Sequence, residues 1–242
     1  MTFIKLDLAD TDSIKNFADK VCASCDKIDV LINNAGVMAI PDRRETKQGF
    51  EMQMGVNHLG HFYLTHLLWP RIKKAPKPRV INLSSTAHEG MGLPKTNFSF
   101  DISDLKFTKE PYTGGKAYAR SKVSNILFTK ELQRRLTESG SEGVSVALHP
   151  GAVRTELGRY FNWKVVLTVY AMFPLVWLVS KSAWQGAQTT LYTVLQQTEK
   201  LEKGAYYKDC KVHKSSDFSC DPEKAKELWR ASEDILGIKF DV

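Results

Sequence analysis

Cysteine is scarce. The 242-residue chain has four, at no regular spacing, which excludes a disulfide-stapled secreted framework and suits a reducing compartment. Its opening, MTFIKLDLADTD, lacks the apolar core and cleavage pattern of a signal peptide. No run reaches the ~20 apolar residues of a bilayer span. The longest, Val165–Val179, is apolar except for Thr168, contains Pro174 and lies between Lys164 and Lys181. No internal repeat or low-complexity tract occurs. Acidic residues are outnumbered, 27 against 34 basic, for a net charge of +7. That balance favours anionic partners such as nucleotide phosphates, acidic lipid head groups or nucleic acid, and selects none of them. With 43% apolar and 25% charged residues, disorder and collagen are excluded, and the length suits one large α/β domain or two small ones.

What is present is an alternation. Short apolar runs of β type lie at Phe3–Leu8, Ile28–Ile32, Arg79–Leu83, Val144–Leu148 and, more weakly, Gly204–Tyr207. The first four are apolar almost throughout, as strands covered on both faces are. Helical patterns fill the intervals at Asp12–Cys25, Gly49–Trp69, Ala117–Thr137 and Ser182–Gln197. Parallel neighbours need such crossovers, so the pattern predicts a doubly wound α/β domain with five strands. Thr11 or Asp12 is placed to cap the first helix, Pro70 to stop the second, and Asp221-Pro222-Glu223 to open the last.

The chemistry-bearing residues fall at strand ends and on one helix. Tyr118 and Lys122 stand four residues apart, on one helix face. A nearby ammonium stabilises phenolate, so Lys122 is expected to lower the Tyr118 pKa from ~10 toward working pH and make it a general acid or base. Taken alone, the pair is a weak signal, and an ordinary exposed helix pair is the commoner reading. Its context adds weight. Val80–Leu83 leads into Ser84-Ser85, Asp29–Ile32 into Asn33-Asn34-Ala35-Gly36, and Val144–Leu148 into His149-Pro150-Gly151, with Val153-Arg154-Thr155 following. In a parallel sheet, ligands bind beyond the carboxyl ends of strands. A serine there can hydrogen-bond a carbonyl or alcohol, an Ala-Gly turn admits a flat ligand, and the paired asparagines can tie a strand to its neighbours.

These motifs resemble the short-chain dehydrogenase/reductase family. Asn33-Asn34-Ala35-Gly36, Val56-Asn57-His58-Leu59-Gly60, Asn82-Leu83-Ser84-Ser85, Tyr118-x-x-x-Lys122 and Pro150-Gly151 occur in family order over nearly the whole chain. His58-Leu-Gly-His61-Phe, Ser121-Lys122 and Ala225-Lys-Glu-Leu-Trp229 resemble its retinol-dehydrogenase-like branch. The resemblance implies a Rossmann-like parallel sheet, an NAD or NADP cofactor, and interconversion of an apolar alcohol with its aldehyde or ketone, the substrate being retinoid-, steroid- or lipid-like. It implies Tyr118 as the acid/base, Lys122 as the residue that lowers its pKa and holds the nicotinamide ribose, Ser85 as the polariser of the substrate oxygen, and Asn57 as the holder of a relay water. Asp7 corresponds to a strand-end aspartate beside the adenine. Asn33, Ala35 and Gly36 correspond to the turn along the cofactor, and Pro150, Gly151 and Thr155 to the clasp on the carboxamide. The branch also implies a cytoplasmic protein, at the cytosolic face of the endoplasmic reticulum or another intracellular membrane, and allows a homodimer.

One family element is missing. The family opens with a strand and a Thr-Gly-x-x-x-Gly-x-Gly turn that sets the pyrophosphate on a helix N-terminus, and only six residues precede Asp7. The expectation is a single domain over 1–242 that lacks the first two strands and two helices, with Phe3–Leu8 separated from the other strands and an open strand edge. A non-catalytic scaffold that no longer holds dinucleotide tightly is the alternative function. Within the domain, 160–181 is expected to form an apolar substrate lid or membrane contact. Phe161, Trp163, Tyr170, Phe173 and Trp177 offer few partners to a polar substrate.

Other signals are weaker. Cys22-x-x-Cys25 and Cys210-x-x-His213 would have to converge in tetrahedral geometry to bind zinc, and the first pair lies at a helix end rather than a start. No metal site is expected. The basic run Arg71–Arg79 is broken by Pro76 and Pro78 and has no interleaved aromatics, so no nucleic-acid partner is expected. His58 and His61 are read as helix residues, not ligands.

Overall fold

The computed structural model describes residues 1–90, 98–154, 160 and 180–242. Thr155 and the Phe161–Val179 stretch lie outside the described residues.

Helix α1 runs Thr11–Ser24. Its cap is Asp10, not Thr11 or Asp12: the Asp10 carboxylate accepts from the Asp12 N–H at 2.9 Å. Strand β1 follows at Val30–Asn33. A short turn of helix at Met52–Met54 passes through a π-helical turn at Gly55–Leu59 into helix α2, Gly60–Ile72. Pro70 lies inside α2 instead of stopping it. In a last turn the missing N–H removes one hydrogen bond only, and Lys73 N still reaches the Trp69 carbonyl at 3.0 Å. Strand β2 is Arg79–Leu83, helix α3 Gly114–Glu138 and strand β3 Val144–His149. Helix α4, Ala183–Leu195, opens on a capping box between Ser182 and Gln185. Strands β4, Tyr206–Lys208, and β5, Lys211–His213, precede helix α5, Pro222–Leu236, which Asp221 caps and Gly237 ends with φ 64°.

The five strands lie in the order β1-β2-β3-β4-β5. The first three pairings are parallel, and β4–β5 is an antiparallel hairpin. One face carries α1, α2, α3 and α5 over a core that includes Ile14, Phe62, Val80, Phe128, Leu132 and Trp229. Ile81, Leu83, Val146, Leu148 and Tyr207 point to the other face, where Tyr192 and Val194 of α4 pack against them. Helices on both faces of a mostly parallel sheet give the α/β doubly wound architecture that the alternation predicts.

The fifth strand is not the one expected. Phe3–Leu8 forms no strand, and the short β5 takes the fifth place. Strand identity depends on pairing as much as on composition. Among the described residues β1 pairs only with β2, and Phe3–Leu8 joins no ladder. Its side chains divide: Leu8 is buried, while Phe3 is 89% exposed. The open edge also leaves Ile32 of β1 41% exposed.

Candidate active site

The parallel sheet brings three sequence motifs to one place. Lys122 Nζ donates to the carbonyl of Leu83, the last residue of β2, at 3.0 Å. One turn earlier on α3, Tyr118 shares a hydroxyl–hydroxyl hydrogen bond with Ser85. Ser84 does not face the site; its hydroxyl donates to the Lys122 carbonyl at 2.6 Å and fixes the strand end to the helix. Ser85 caps the short turn Thr86–Glu89, accepting from Ala87 N at 3.2 Å. The Ser85 carbonyl in turn meets His88 Nδ1 at 2.6 Å.

Asn57 completes the cluster from the π-helical turn. Its side chain accepts from Val37 N and donates to Val37 O, both at 2.9 Å, and donates to Ser121 Oγ at 2.9 Å. It therefore joins the turn after β1 to α3. Its main-chain carbonyl meets His61 Nδ1 at 3.0 Å. A π-helical turn displaces the usual helical bonding and recurs at functional sites. Gly36 lies over this junction. A Cβ there would stand 3.0 Å from Asn57 Oδ1 and 3.7 Å from Lys122 Nζ, so the missing side chain is what lets the backbone approach both groups.

Two contacts aim α3 at this point. Gly114, at its start, packs so closely under the chain that a Cβ would lie 2.3 Å from the Ile40 carbonyl. Gln53 bridges the same elements, accepting from Ala39 N and donating to the Gly114 carbonyl, both at 2.9 Å. Farther along, the buried Arg120 guanidinium lies between the rings of Phe100 and Phe107, at 5.0 and 4.2 Å, and binds the Asp104 carbonyl. Sequence reasoning missed Gln53 and Arg120. Only the Thr113-Gly-Gly start marks the close approach in the sequence.

The other expected site residues are less concentrated. Asn33 is buried, and its amide donates to Asn82 Oδ1 at 2.8 Å and Thr65 Oγ1 at 3.2 Å. It holds β1 to β2 and α2, while Asn34 and Ala35 are exposed on the turn. Asp7 is not at a strand end. It lies exposed on the turn before α1, with its carboxylate accepting from Ala9 N at 2.9 Å. Pro150 and Gly151 follow β3. Gly151 has φ 99°, and a Cβ there would lie 2.7 Å from Lys181 Cδ.

Burial dominates the electrostatics. It pushes the Tyr118 phenol up to about 12, against the opposing effect of the Ser85 hydrogen bond. It also pushes the Lys122 ammonium down to about 8. Lys122 does not lower the phenol here as the helix spacing suggested: Nζ lies 5.5 Å from the centre of the Tyr118 ring, and desolvation disfavours the charged form of both groups. His61 falls to about 4 through burial, with the Asn57 carbonyl opposing and the Lys122 charge reinforcing. The cluster is thus a dry set of neutral-leaning groups around one phenol. It can pass a proton to or from an oxygen placed at Ser85 and Tyr118. Among the described residues, no group of three or more His, Cys, Asp or Glu is arranged to hold a metal ion, and no helix is long and apolar enough to cross a membrane.

Known proteins resemble this chain in sequence and in fold. The short chain dehydrogenase family model matches residues 1–97. Retinol dehydrogenase 12 of Bos taurus is 41% identical over 237 residues, covering 98% of this chain and 70% of its own length. Among solved structures, an uncharacterised protein from Mycobacterium Paratuberculosis superposes with TM-score 0.74 at 34% identity, over 99% of this chain and 76% of its own. NADPH-bound carbonyl reductase from chicken fatty liver superposes with TM-score 0.58 at 25% identity, over 85% and 73%. The chain belongs to the short-chain dehydrogenase/reductase family, in its retinol-dehydrogenase-like branch, and is an NAD(P)-dependent oxidoreductase.

Proposed function

We propose that the protein interconverts an apolar, retinoid-like alcohol and its aldehyde, with Tyr118 as the group that exchanges a proton with the substrate oxygen. The observation that carries this reading is the Ser85–Tyr118 hydroxyl pair at the carboxyl end of β2, backed by Lys122 on the same helix. In the reductive direction Ser85 donates to the carbonyl oxygen and Tyr118 delivers the proton to it; in the oxidative direction Tyr118 takes the proton back. Burial favours un-ionised Tyr118, which suits the acid role. The base role requires positive charge nearby, which Lys122 carries when protonated.

The residues present fit a nicotinamide nucleotide on one side. Gly36 leaves room that a Cβ would fill, beside the exposed Asn34 and Ala35. Asn33, Ala35, Gly36, Lys122, Pro150, Gly151, Thr155 and, at the adenine, Asp7 are the residues we assign to hold it. When bound, the cofactor supplies or accepts the hydride; the protein supplies placement, exclusion of water and the proton. Asn57 fixes the turn after β1 against α3 and so sets where Lys122 stands.

The apolar substrate class is supported by the retinol dehydrogenase relative at 41% identity and by the aromatic, nearly uncharged composition of Phe161–Val179. An apolar chain gains ~25 cal/mol per Å² buried there, whereas a polar one would lose solvation without compensation. The same composition supports peripheral contact with the cytosolic face of an intracellular membrane. Calorimetric titration with NADPH and NADH, followed by turnover of all-trans-retinol against glycerol, tests the reading. Dinucleotide binding with turnover of retinol alone is expected. Failure to bind either dinucleotide would leave the scaffold reading in its place.

A further inference from the structure

Leu83 ends β2 and lies one residue past the β1 ladder, whose final pair is Asn33 with Asn82. Around that point side chains join the strand to α3. Asn82 Nδ2 donates to Thr129 Oγ1 at 2.9 Å, and Ser84 Oγ donates to the Lys122 carbonyl at 2.6 Å. Between them the Leu83 carbonyl accepts twice, from Lys122 Nζ at 3.0 Å and from Asn125 Nδ2 at 2.9 Å. Lys122 and Asn125 stand three residues apart on α3, which places both on the helix face toward β2.

A carbonyl oxygen has two lone pairs, so these donors divide one acceptor. They are unequal. Asn125 is short and 3% exposed, and its main-chain carbonyl is itself fixed by Thr129 Oγ1 at 2.7 Å. Because its partner is a carbonyl, the group it presents must be the amide nitrogen. Lys122 reaches the same oxygen on a flexible four-carbon stem. The rigid amide therefore decides which side of the oxygen is left for the ammonium. On the side it holds, Nζ stands beside the turn after β1: a Cβ on Gly36 would lie 3.7 Å from it.

Resting on the reading that Lys122 holds the nicotinamide ribose, we propose that Asn125 is a positioning residue. Its amide fills the inner acceptor position of the Leu83 carbonyl and keeps the Lys122 ammonium on the outer one, beside Gly36 and within reach of the cofactor. Without that amide the ammonium is free to swing inward, where it keeps its hydrogen bond to Leu83 and loses the dinucleotide. The advantage is preorganisation: a long side chain is ordered as the protein folds and not at the moment of binding.

Asn125→Leu keeps much of the volume and removes the donor, and the Leu83 oxygen retains Lys122, so no buried acceptor is stranded. Acetylation by acetic anhydride at about pH 9, above the value of about 8 to which burial pushes this ammonium, needs no cofactor. Mass spectrometry then reads Lys122 against the other lysines of the same digest. If the freed position holds the amine for about nine-tenths of the time, labelling of Lys122 slows by about tenfold, and NADPH affinity in calorimetry falls by the same factor, since both scale with the fraction in the outer position. A fold that is merely loosened would label Lys122 faster. In a Lys122→Met background Asn125→Leu should change NADPH affinity by less than about twofold, because the residue it acts through is gone. Asn125→Asp keeps the shape and offers the ammonium a carboxylate on the inner side. It should show both losses at least as strongly, and it decides the matter if the leucine variant does not fold. Labelling of Lys122 that is unchanged or faster, or an equal loss of affinity in both backgrounds, overturns the proposal. NADPH bound equally by the parent and Lys122→Met, or by neither, would instead overturn the assignment of Lys122 to the cofactor, while the labelling still decides where Asn125 holds the amine.

Discussion

Lys122 Nζ donates to the Leu83 carbonyl at 3.0 Å and stands 5.5 Å from the centre of the Tyr118 ring. The lysine thus ties the end of β2 to α3, which sets Ser84 and Ser85 against the helix that carries Tyr118. A single ammonium therefore has two duties. It holds the strand end, and its charge is the closest cation that the phenol has on its own helix.

Keeping that ammonium buried lowers stability in a defined pH window. Its folded pKa is about 8 against 10.5 for the free group, so the unfolded chain binds more protons between those values. Stability then rises with pH across the window, and the full cost applies below it. Replacing the lysine removes the cost along with one hydrogen bond. Lys122→Met is expected to be more stable than the parent near neutrality, by on the order of 2 kcal/mol. The difference should close as pH approaches the unfolded value. Urea melts across that range, with m-values compared, check this.

Acid should destabilise the fold through its buried histidines. Burial holds His58 at about 3 and His61 at about 4, each well below the ordinary 6.5. The unfolded chain takes up protons first as pH falls, so stability declines from about 6.5 downward and is lost progressively toward the folded values. His61→Gln should flatten the decline measured by thermal melts in a pH series. A slope identical to that of the parent would show that His61 is not the group responsible.

Arg120 secures the segment that leads into α3. Its side chain is 2% exposed, lies between Phe100 and Phe107, and pairs with the Asp104 carboxylate at 3.7 Å. Arg120→Met leaves that carboxylate without its cation, though the N–H groups of Thr108 and Lys109 still donate to it. A loss of about 3 kcal/mol is expected in urea unfolding, larger than for an exposed ion pair such as Lys27–Asp29.

Much of this was legible in the sequence because it is local. The Tyr118–Lys122 spacing, the hydroxyl pair after Val80–Leu83 and the Asn57 motif all fell where the fold brings them together. The strands with two covered faces, β2 and β3, announced themselves by apolar composition. Phe3–Leu8, expected to be a strand on the same ground, is none, because a ladder needs a neighbour. Strand β5 is the reverse case: Lys211, Val212 and His213 are all exposed, and pairing with β4 alone makes them a strand. The hairpin turn places Asp209 and Cys210 at positive φ, and Cys210 is not a residue that signals this. The contacts of Gln53 and Arg120 join segments far apart in the chain, which periodicity does not reveal. The Tyr118 ionisation was misjudged for a related reason. Helix spacing shows that a lysine is near, but not that both groups are buried deeply enough for desolvation to outweigh their attraction.

The central claim is that the Tyr118 hydroxyl moves the proton. Single-turnover oxidation of all-trans-retinol, followed by the absorbance of the reduced nicotinamide formed, tests it most directly in the parent and in Tyr118→Phe. The variant loses one oxygen from a phenol whose ring remains packed, so its melting curve should match the parent's. Its hydride-transfer rate should fall by about a thousandfold, within the range for loss of a general acid–base group. A folded Tyr118→Phe variant that turns over within about tenfold of the parent would contradict the account.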